Sequence, residues 1–252
     1  MPRGLAADFQ VRLAQTEADV QAAQRLRYDV FVRELGGGGP MVDHAAGLER
    51  DRFDPYFDHL LLTDRRSGKL AGVYRVMRGD MAARAGGFYS AAEYDLAPLV
   101  QSGRKLLELG RSCLDPAYRG GTAMHHLWAA LAGYVAEYEI EVLFGVASFH
   151  GTDTAALAEP LSLLHHRHLA PPELRVRARE YAPMDLIPEP ELDRRKAMLA
   201  VPSLIKAYLR LGGTVGEGAY IDRAFNTTDV CLILDTKQMS ARQMRFYNGS
   251  AA

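Results

Sequence analysis

The sequence is poor in cysteine, almost neutral overall and without long apolar runs. Two cysteines in 252 residues do not make the disulfide framework of a small secreted protein, and Cys113 lies in an apolar run where we expect a core residue. The formal net charge of −1 provides no general attraction to DNA or RNA, so we expect no nucleic-acid partner. No stretch approaches the roughly 18 apolar residues of a membrane-spanning helix.

Residues 1–4 lead to no apolar signal segment, and a myristoylation site would need glycine directly after the first methionine. We therefore expect a cytoplasmic protein. Its 48% apolar and 24% charged residues are typical of a globular protein with a core. The length suits one domain with an elaboration. We expect a single domain over residues 1–252, with its core at 9–150 and an elaboration plus a C-terminal strand at 151–252.

Hydrophobic periodicity predicts an α/β (α+β) chain with the order β-α-β-β-β-α-β in its first 148 residues. Thr16 and Asp19 have the spacing of a capping box, and the run from Gly36 to Pro40 ends the helix that follows them. The second half is less regular, with a proline-rich lid or helical insertion at 183–202. The predicted strands are 9–13, 59–63, 70–77, 105–113, 141–148, 175–179 and 230–234, and the predicted helices are 17–35, 122–139, 153–168 and 204–211.

One candidate site is Glu108-Leu109-Gly110-Arg111 on the predicted central strand. Residues three apart face opposite sides of a regular strand, but a β-bulge near Gly110 would change this, since glycine in a strand often marks a bulge. A glutamate in an apolar strand is costly unless it is paired. Glu108 and Arg111 are therefore either functional residues or a structural ion pair.

A second candidate is an acidic loop, residues 41–58, which precedes a predicted hairpin. Its closely spaced carboxylates repel one another unless a metal, a substrate ammonium or nearby arginines bind them; the alternative is a solvated loop. Arg27 and Phe31 share a helix face at i,i+4, and Arg75 in the middle of a strand needs a partner if it is buried. The three carboxylates are Glu49, Asp51 and Asp54.

A third candidate is the turn Arg119-Gly120-Gly121-Thr122-Ala123 before the long helix. Glycines let backbone N–H groups approach a phosphate, the helix terminus adds partial positive charge, and the arginine adds a charged donor. The pattern is common by itself and gains meaning from the acidic strand before it. The histidines at 165, 166 and 168 have no acidic or cysteine ligand nearby in the sequence, so we expect no metal site.

Together these motifs resemble the GCN5-related N-acyltransferase (GNAT) superfamily over residues 9–148. The resemblance implies a mixed central sheet flanked by helices, here with a C-terminal helical elaboration. It also implies that the central strand and the glycine turn hold the pyrophosphate of CoA or of phosphopantetheine. The usual turn is Gln/Arg-x-x-Gly-x-Gly/Ala, and Thr122 stands at the third step from Arg119, where that pattern has glycine. This departure argues against an ordinary acetyl-CoA enzyme.

A narrower resemblance is to the acyl-homoserine-lactone synthases, which use acyl carrier protein as donor. Their Arg-x-x-x-Phe, Glu-x-Asp-x-x-Asp and Glu-x-x-Arg patterns match residues 27–31, 49–54 and 108–111, and a hairpin arginine matches Arg75. The bacterial L-ornithine N-alpha-acyltransferases share these motifs and also carry a C-terminal segment like residues 216–230. The second resemblance covers nearly the whole chain.

The resemblance to the ornithine enzymes implies transfer of a (3-hydroxy)acyl chain from acyl carrier protein to the α-amine of L-ornithine, which gives lyso-ornithine lipid. The expected catalytic residues are Glu108, as base, and Arg111. Three carboxylates would bind the second ammonium of ornithine or fix the arginines, and one arginine would pair with the substrate carboxylate. The expected substrate-binding residues are Arg27, Phe31, Glu49, Asp51, Asp54 and Arg75, and the expected phosphopantetheine-binding residues are Arg119, Gly120, Gly121, Thr122 and Ala123.

The same resemblance implies no tightly bound cofactor, because phosphopantetheine arrives on the carrier protein. Since that carrier is acidic, we expect a basic docking patch, and since the product is an amphiphile, we expect possible peripheral contact with the inner membrane face. Other functions remain open: a lactone synthase that uses S-adenosylmethionine, an acetyl-CoA-dependent acetyltransferase, or a non-catalytic membrane-active protein. The candidate docking clusters are Arg104-Lys105, Arg119, Arg175-Arg177-Arg179 and Arg194-Arg195-Lys196.

Overall fold

One eight-stranded sheet organises the chain. A computed structural model describes residues 8–40, 42–240 and 243, so residues 1–4 and position 41, which the predictions above include, lie outside the described residues. The strands are β1 (Phe9–Leu13), β2 (Val42–Asp43), β3 (Leu48–Glu49), β4 (Asp58–Asp64), β5 (Leu70–Arg78), β6 (Tyr94–Asp95), β7 (Leu106–Leu114), β8 (Val142–His150), β9 (Arg177–Ala178), β10 (Thr214–Val215), β11 (Tyr220–Asp222) and β12 (Thr227–Asp235). The α-helices are α1 (Glu17–Arg27), α2 (Gly79–Ala85), α3 (Ala97–Gln101), α4 (Ala123–Glu137), α5 (Ala158–His168), α6 (Arg194–Ala200) and α7 (Ser203–Arg210).

The sheet has the strand order β1-β4-β5-β7-β8-β12-β10, and β11 also pairs with β12. Its pairs are antiparallel except β7 with β8, which are parallel. Successive side chains of a strand face opposite sides: Leu61 packs with α1 residues, whereas Leu60 and Leu62 pack with α4 residues. The predicted mixed sheet flanked by helices is confirmed, and α5, α6 and α7 form the C-terminal helical elaboration.

The first helix begins and ends where the sequence predicts. The Thr16 hydroxyl accepts from the Asp19 backbone N–H, and the Asp19 carboxylate accepts from the Thr16 N–H, so the capping box is formed. The helix continues past Arg27 as a π-helix over Tyr28–Glu34, a widening that frequently marks functional sites. Gly36 then adopts a positive φ of 75° and ends it.

Strand β7 carries the bulge predicted near Gly110. Val73 of β5 pairs with Cys113 and Arg75 pairs with Gly110, so Arg111 and Ser112 together stand opposite a single residue of β5. Arg111 has a φ of 54°, in the left-handed region that non-glycine residues seldom adopt. The bulge therefore redirects the Arg111 side chain relative to a regular strand.

The parallel pairing of β7 with β8 is short. Its ladder covers only Leu106–Glu108 against Val142–Phe144, whereas β8 pairs with β12 along its full length. A Cβ at Gly145 would lie 2.2 Å from the Leu109 carbonyl oxygen, so a larger residue would force the strands apart there. Beyond this point both strands line a shared pocket.

Several short elements differ from the prediction. Helix α5 starts at Ala158, later than residue 153, because the Asp153 carboxylate accepts from the Ala155 and Ala156 N–H groups and closes a turn there. The predicted strand at 175–179 is only Arg177–Ala178, paired with β6. Strands β10 and β11 are too short to show a period in the sequence. No helix in the described ranges is long and apolar enough to span a bilayer.

Candidate active site

A cleft of about 260 Å³ lies beyond the parallel ladder of β7 and β8. Its other walls are the π-helical end of α1, the turn that follows α2, and the β11–β12 hairpin. A narrower pocket of about 40 Å³ runs between β7 and β8, and the two cavities share Arg111 and Leu204. The lining residues that matter for the chemistry below are Phe31, Tyr89, Glu93, Arg111, Thr227 and Asp229.

Arg111 is the arginine that faces this cleft. Its Nε donates to Glu49 Oε1 at 3.0 Å and its Nη2 donates to the Tyr89 hydroxyl at 3.0 Å. The guanidinium carbon lies 4.9 Å from the centre of the Tyr89 ring and 5.2 Å from that of Phe225. Nη1 has no hydrogen-bond partner among the described residues. Arg111 is thus held rigidly with one donor edge left for a ligand.

A buried network of ion pairs holds Arg111 from behind. Arg27 pairs with Glu49 and donates to Asp54 at 2.7 Å, and Arg75 donates to Asp54 at 2.6 Å and to Asp51 at 2.7 Å. Burial alone would raise the pKa of Asp54, but Arg27 and Arg75 lower it well below its usual range. Arg27, Arg75 and Glu49 are almost fully inaccessible to solvent.

This network contains most of the expected substrate-binding residues, whose binding role stays a prediction. Phe31 lines the cleft, but Arg27, Arg75 and the three loop carboxylates are absent from its lining and are engaged with one another. Of the alternatives left open by the sequence, the structure shows the carboxylates bound to the arginines. Glu49 connects this network to the cleft, because it binds Arg27 with one oxygen and Arg111 with the other.

Glu108 also differs from its expected position. Its carboxylate is 1% exposed and accepts from the Ser90 N–H at 2.6 Å, the Ser90 hydroxyl at 2.5 Å and the Tyr89 N–H at 2.8 Å. The pKa of Glu108 is raised, because the effect of burial exceeds the opposing effect of these hydrogen bonds. Glu108 lines neither the cleft nor the narrow pocket and forms no ion pair with Arg111. Glu108 positions the turn that carries Tyr89, and its role as a base, directly or through water, stays a prediction.

Two functional candidates were missed from the sequence. Glu93 and Asp229 line the cleft and are 6% and 4% exposed. Burial, together with the nearby Asp229 and Asp222, raises the pKa of Glu93 to about 8, and burial raises that of Asp229 to about 6. Asp229 lies inside the C-terminal segment of the resemblance, which was a usable signal. Glu93 lies in a connection without periodicity, where no pattern marks it.

The glycine turn lies between β7 and α4, on the surface. Gly120 has a φ of 76°, which favours glycine, and Ala123 is the buried first residue of α4. Arg119 donates to both oxygens of Glu34, at 2.5 and 2.7 Å, and to the Leu114 carbonyl. Nothing approaches a Cβ at Gly120 or Gly121 within 4 Å, so the backbone there is accessible. Phosphopantetheine binding by residues 119–123 stays a prediction.

Comparison with known proteins shows the family of this chain. The acetyltransferase (GNAT) domain family matches residues 26–129. The L-ornithine N(alpha)-acyltransferase of Rhodobacter capsulatus is 58% identical over 95% of this chain and 94% of its own length. That of Brucella abortus is 42% identical over 98% of this chain and 92% of its own length. The chain belongs to the L-ornithine N(alpha)-acyltransferase family.

Solved structures of other proteins share the fold of this acyltransferase at low sequence identity. FeeM, an N-acyl amino acid synthase from uncultured soil microbes, has a TM-score of 0.53 at 12% identity and covers 93% of this chain and 94% of its own. The CoA-dependent acyl-homoserine lactone synthase BjaI has a TM-score of 0.56 at 13% identity and covers 96% and 89%. The predicted resemblance to this superfamily is confirmed.

Most basic clusters of the acyltransferase that were considered for docking are engaged with acids. Arg104 pairs with Asp235, Lys105 with Glu139 and Arg119 with Glu34. In the third cluster, Arg177 pairs with Glu217. On α6, Arg194 and Lys196 pair with Glu189 and Glu159, at 3.5 and 3.0 Å. Arg195 is exposed and has no acidic partner in the described part of the chain.

Proposed function

We propose that the protein transfers a 3-hydroxyacyl chain from acyl carrier protein to the α-amine of L-ornithine and so makes lyso-ornithine lipid. The names of the relatives at 58% and 42% identity support the acceptor. The observation that carries the proposal is Arg111, whose Nη1 is free within a cleft walled by β7 and β8. A guanidinium with one open edge binds a carboxylate through a charge-assisted hydrogen bond.

The narrow pocket is the proposed site of the acyl chain. The narrow pocket between β7 and β8 is lined by apolar residues such as Leu109, Leu143 and Phe144, and it begins at Arg111. Its volume of about 40 Å³ holds about three water molecules, so a long chain requires movement of the pocket wall. Leu204 at the start of α7 lies on both cavities. We assign the wall that moves to α7.

The proposed reaction is the substitution of a thiol by an amine at the thioester carbonyl. The neutral α-amine attacks the thioester carbonyl, the C–N bond forms, the C–S bond breaks, and the sulfur leaves as the thiol of phosphopantetheine. About a tenth of a free α-amine is neutral at pH 7, since its pKa is near ~8. The nitrogen loses one proton as the amide forms, and water carries this proton to the departing sulfur. Backbone N–H groups at the β7 bulge are the proposed donors to the oxyanion.

The first prediction concerns the donor and the acceptor together. The purified protein, given 3-hydroxyacyl thioesters of acyl carrier protein and of CoA with L-ornithine or S-adenosylmethionine, should form N-acylornithine from the carrier thioester, measured by mass spectrometry. The acyl group should be on the α-nitrogen, since Arg111 holds the adjacent carboxylate.

Three results would contradict this proposal. A lactone formed from S-adenosylmethionine would favour the synthase alternative, and acetylation by acetyl-CoA would favour an ordinary acetyltransferase. Lysis of liposomes without turnover would favour the non-catalytic alternative. Equal rates with carrier and CoA thioesters would retain the acceptor but reject the carrier as the preferred donor.

A further inference from the structure

We infer that Glu93, Asp229 and Thr227 form the binding site for the side-chain ammonium of the acceptor, and so select a diamino acid over a neutral amino acid. This inference rests on the proposed function, because it takes the acceptor to be an amino acid whose carboxylate binds Arg111. The three residues line the same cleft as Arg111. No motif in the sequence marks them as a group.

The first argument is the number of open acceptors. Glu93 Oε2, Asp229 Oδ1 and Thr227 Oγ1 are buried oxygens that form no hydrogen bond of good geometry within the described residues. The Ser148 and Thr227 hydroxyls lie near the Asp229 carboxyl and lower its pKa, but a hydroxyl that donates can still accept from an ammonium. Buried polar atoms in native proteins are nearly always hydrogen-bonded. Thr227 and Asp229 are two apart on β12 and therefore project to the same face. A primary ammonium has three N–H donors, one for each of these acceptors.

The second argument is the unbalanced charge. Glu93 and Asp229 form no ion pair with any described lysine, arginine or histidine, although both are more than nine-tenths buried. Arg111 lines the same cleft, but its Nε already donates to Glu49 and its Nη2 to Tyr89. Buried carboxylates without a cation are costly when they are ionised, and for this reason Glu93 keeps its proton near pH 7 while no cation is bound. An ammonium that enters the cleft would supply the missing positive charge.

The pKa values agree with this geometry. Burial and the neighbouring acids, including Asp222, raise the pKa of Glu93 to about 8 and that of Asp229 to about 6. A bound cation favours the ionised form of a nearby carboxylate. Binding of the substrate ammonium should therefore release a proton from this pair.

A primary ammonium fits better than a metal ion. Within the described part of the chain, no group of three or more histidine, cysteine or acidic side chains is arranged to hold a metal. Two carboxylates and one hydroxyl, each with one open oxygen, match the donors of an ammonium. A neutral side chain would leave the same oxygens unpaired, and sites built to bond a polar substrate group reject analogues that lack it by large factors.

L-Norvaline is the matched probe, because it has the carbon skeleton of ornithine without the side-chain amine. For the unmodified enzyme, kcat/KM should favour ornithine over norvaline by at least about 100-fold. In Glu93→Gln and Asp229→Asn, and most strongly in the double variant, this ratio should fall below about 10. The loss should come from ornithine, while turnover of norvaline is retained or increased.

Two controls separate folding and catalysis from selection. Glu173→Gln changes an exposed acid outside the lining of the cleft and should leave the ratio unchanged. Thermal unfolding and calorimetric titration of ornithine and norvaline, without donor, test each variant for folding and for binding. Ornithine binding should weaken about tenfold or more in the double variant, with norvaline binding unaffected.

The contrary outcomes are distinct. If the unmodified enzyme acylates ornithine and norvaline equally, or if the variants slow both substrates equally, the three residues do not select the side chain and the inference is overturned. Calcium or magnesium binding at this pair, in place of ornithine, would overturn it as well. If the enzyme acylates no amino acid at all, the proposed function fails instead, and the titrations still test the ammonium site.

Discussion

At the scale of single residues, Arg111 is the side chain on which the proposed binding of the amino-acid acceptor depends. Its guanidinium donates to Glu49 and to Tyr89 from two separate nitrogens and leaves the third open within the described residues. The one nitrogen of a lysine ammonium does not reproduce this planar, spread arrangement. Arg111→Lys should raise the KM for ornithine at least about tenfold with little change in the KM for the acyl donor. Steady-state kinetics with both substrates varied tests this. The conservative control is Arg33→Lys on an exposed ion pair, and an unaltered ornithine KM in Arg111→Lys would place the carboxylate elsewhere.

Glu108 allows a second prediction at this scale. Its oxygens accept three donors from Tyr89 and Ser90, and in Glu108→Gln an amide NH2 would face at least one of these donors. The free energy of unfolding should fall by about 1–3 kcal/mol, with reduced activity because Tyr89 no longer holds Arg111. Urea unfolding measures this change. A large loss of kcat at unchanged stability would instead support the original expectation of a catalytic base.

At the scale of elements, the buried ion pairs join α1, β3 and β5 behind the cleft. Arg27→Ala removes one of the two arginines that pair with each of Glu49 and Asp54 in a dry environment, and should destabilise the protein by about 3–5 kcal/mol. Arg33→Ala removes an exposed i,i+4 pair with Asp29 on the same helix, and should cost at most about 0.5 kcal/mol. Comparable unfolding midpoints in denaturant for the two variants would show that the network contributes no more than a surface pair.

At the scale of the whole molecule, the stability should depend on pH through Glu93. Its pKa is raised to about 8 in the folded protein, above the value of about 4.3 in an unfolded chain. The folded state therefore keeps a proton that the unfolded state releases, and the free energy of unfolding falls as the pH rises from about 5 to 8. The groups that act on Glu93 are Asp229, Asp222, Arg111 and Glu108.

The variant Glu93→Gln isolates this effect, since all other titrating groups are common to both proteins. Relative to the variant, the unmodified protein should lose stability steadily between pH 5 and pH 8 in urea unfolding experiments. Curves that run parallel over this range would mean that Glu93 keeps an ordinary pKa.

Recognition of the carrier protein is also a property of the whole surface. The exposed cluster Arg194, Arg195 and Lys196 lies on α6, directly before α7, whose Leu204 lines both cavities. Replacing the cluster by alanine should raise the KM for acyl carrier protein several-fold and weaken its salt dependence. The KM for ornithine should not change. Arg65 and Arg66, exposed at the far hairpin turn, are the matched control, and an equal effect there would indicate a diffuse electrostatic attraction.

The sequence by itself determined the local features of this protein. The capping box at Thr16, the stop at Gly36, the β4–β5 hairpin and the bulge beside Gly110 all depend on residues close together in the chain. For the same reason the family could be predicted from short motifs. Spacing, however, does not say which way a charged side chain faces, so Arg27, Arg75 and Glu108 were expected at the substrate and are buried behind it.

Only the tertiary structure decided which charges face the cleft. Glu93 comes from a connection after α2 and Asp229 from the last long strand, and they meet because β12 pairs with β8 in the middle of the sheet. Arg111 reaches the same cleft because its own left-handed backbone conformation in the bulge redirects its side chain. The burial of Glu93 and Asp229 exists only after these distant segments have packed, and this burial is the basis of the proposed ammonium site.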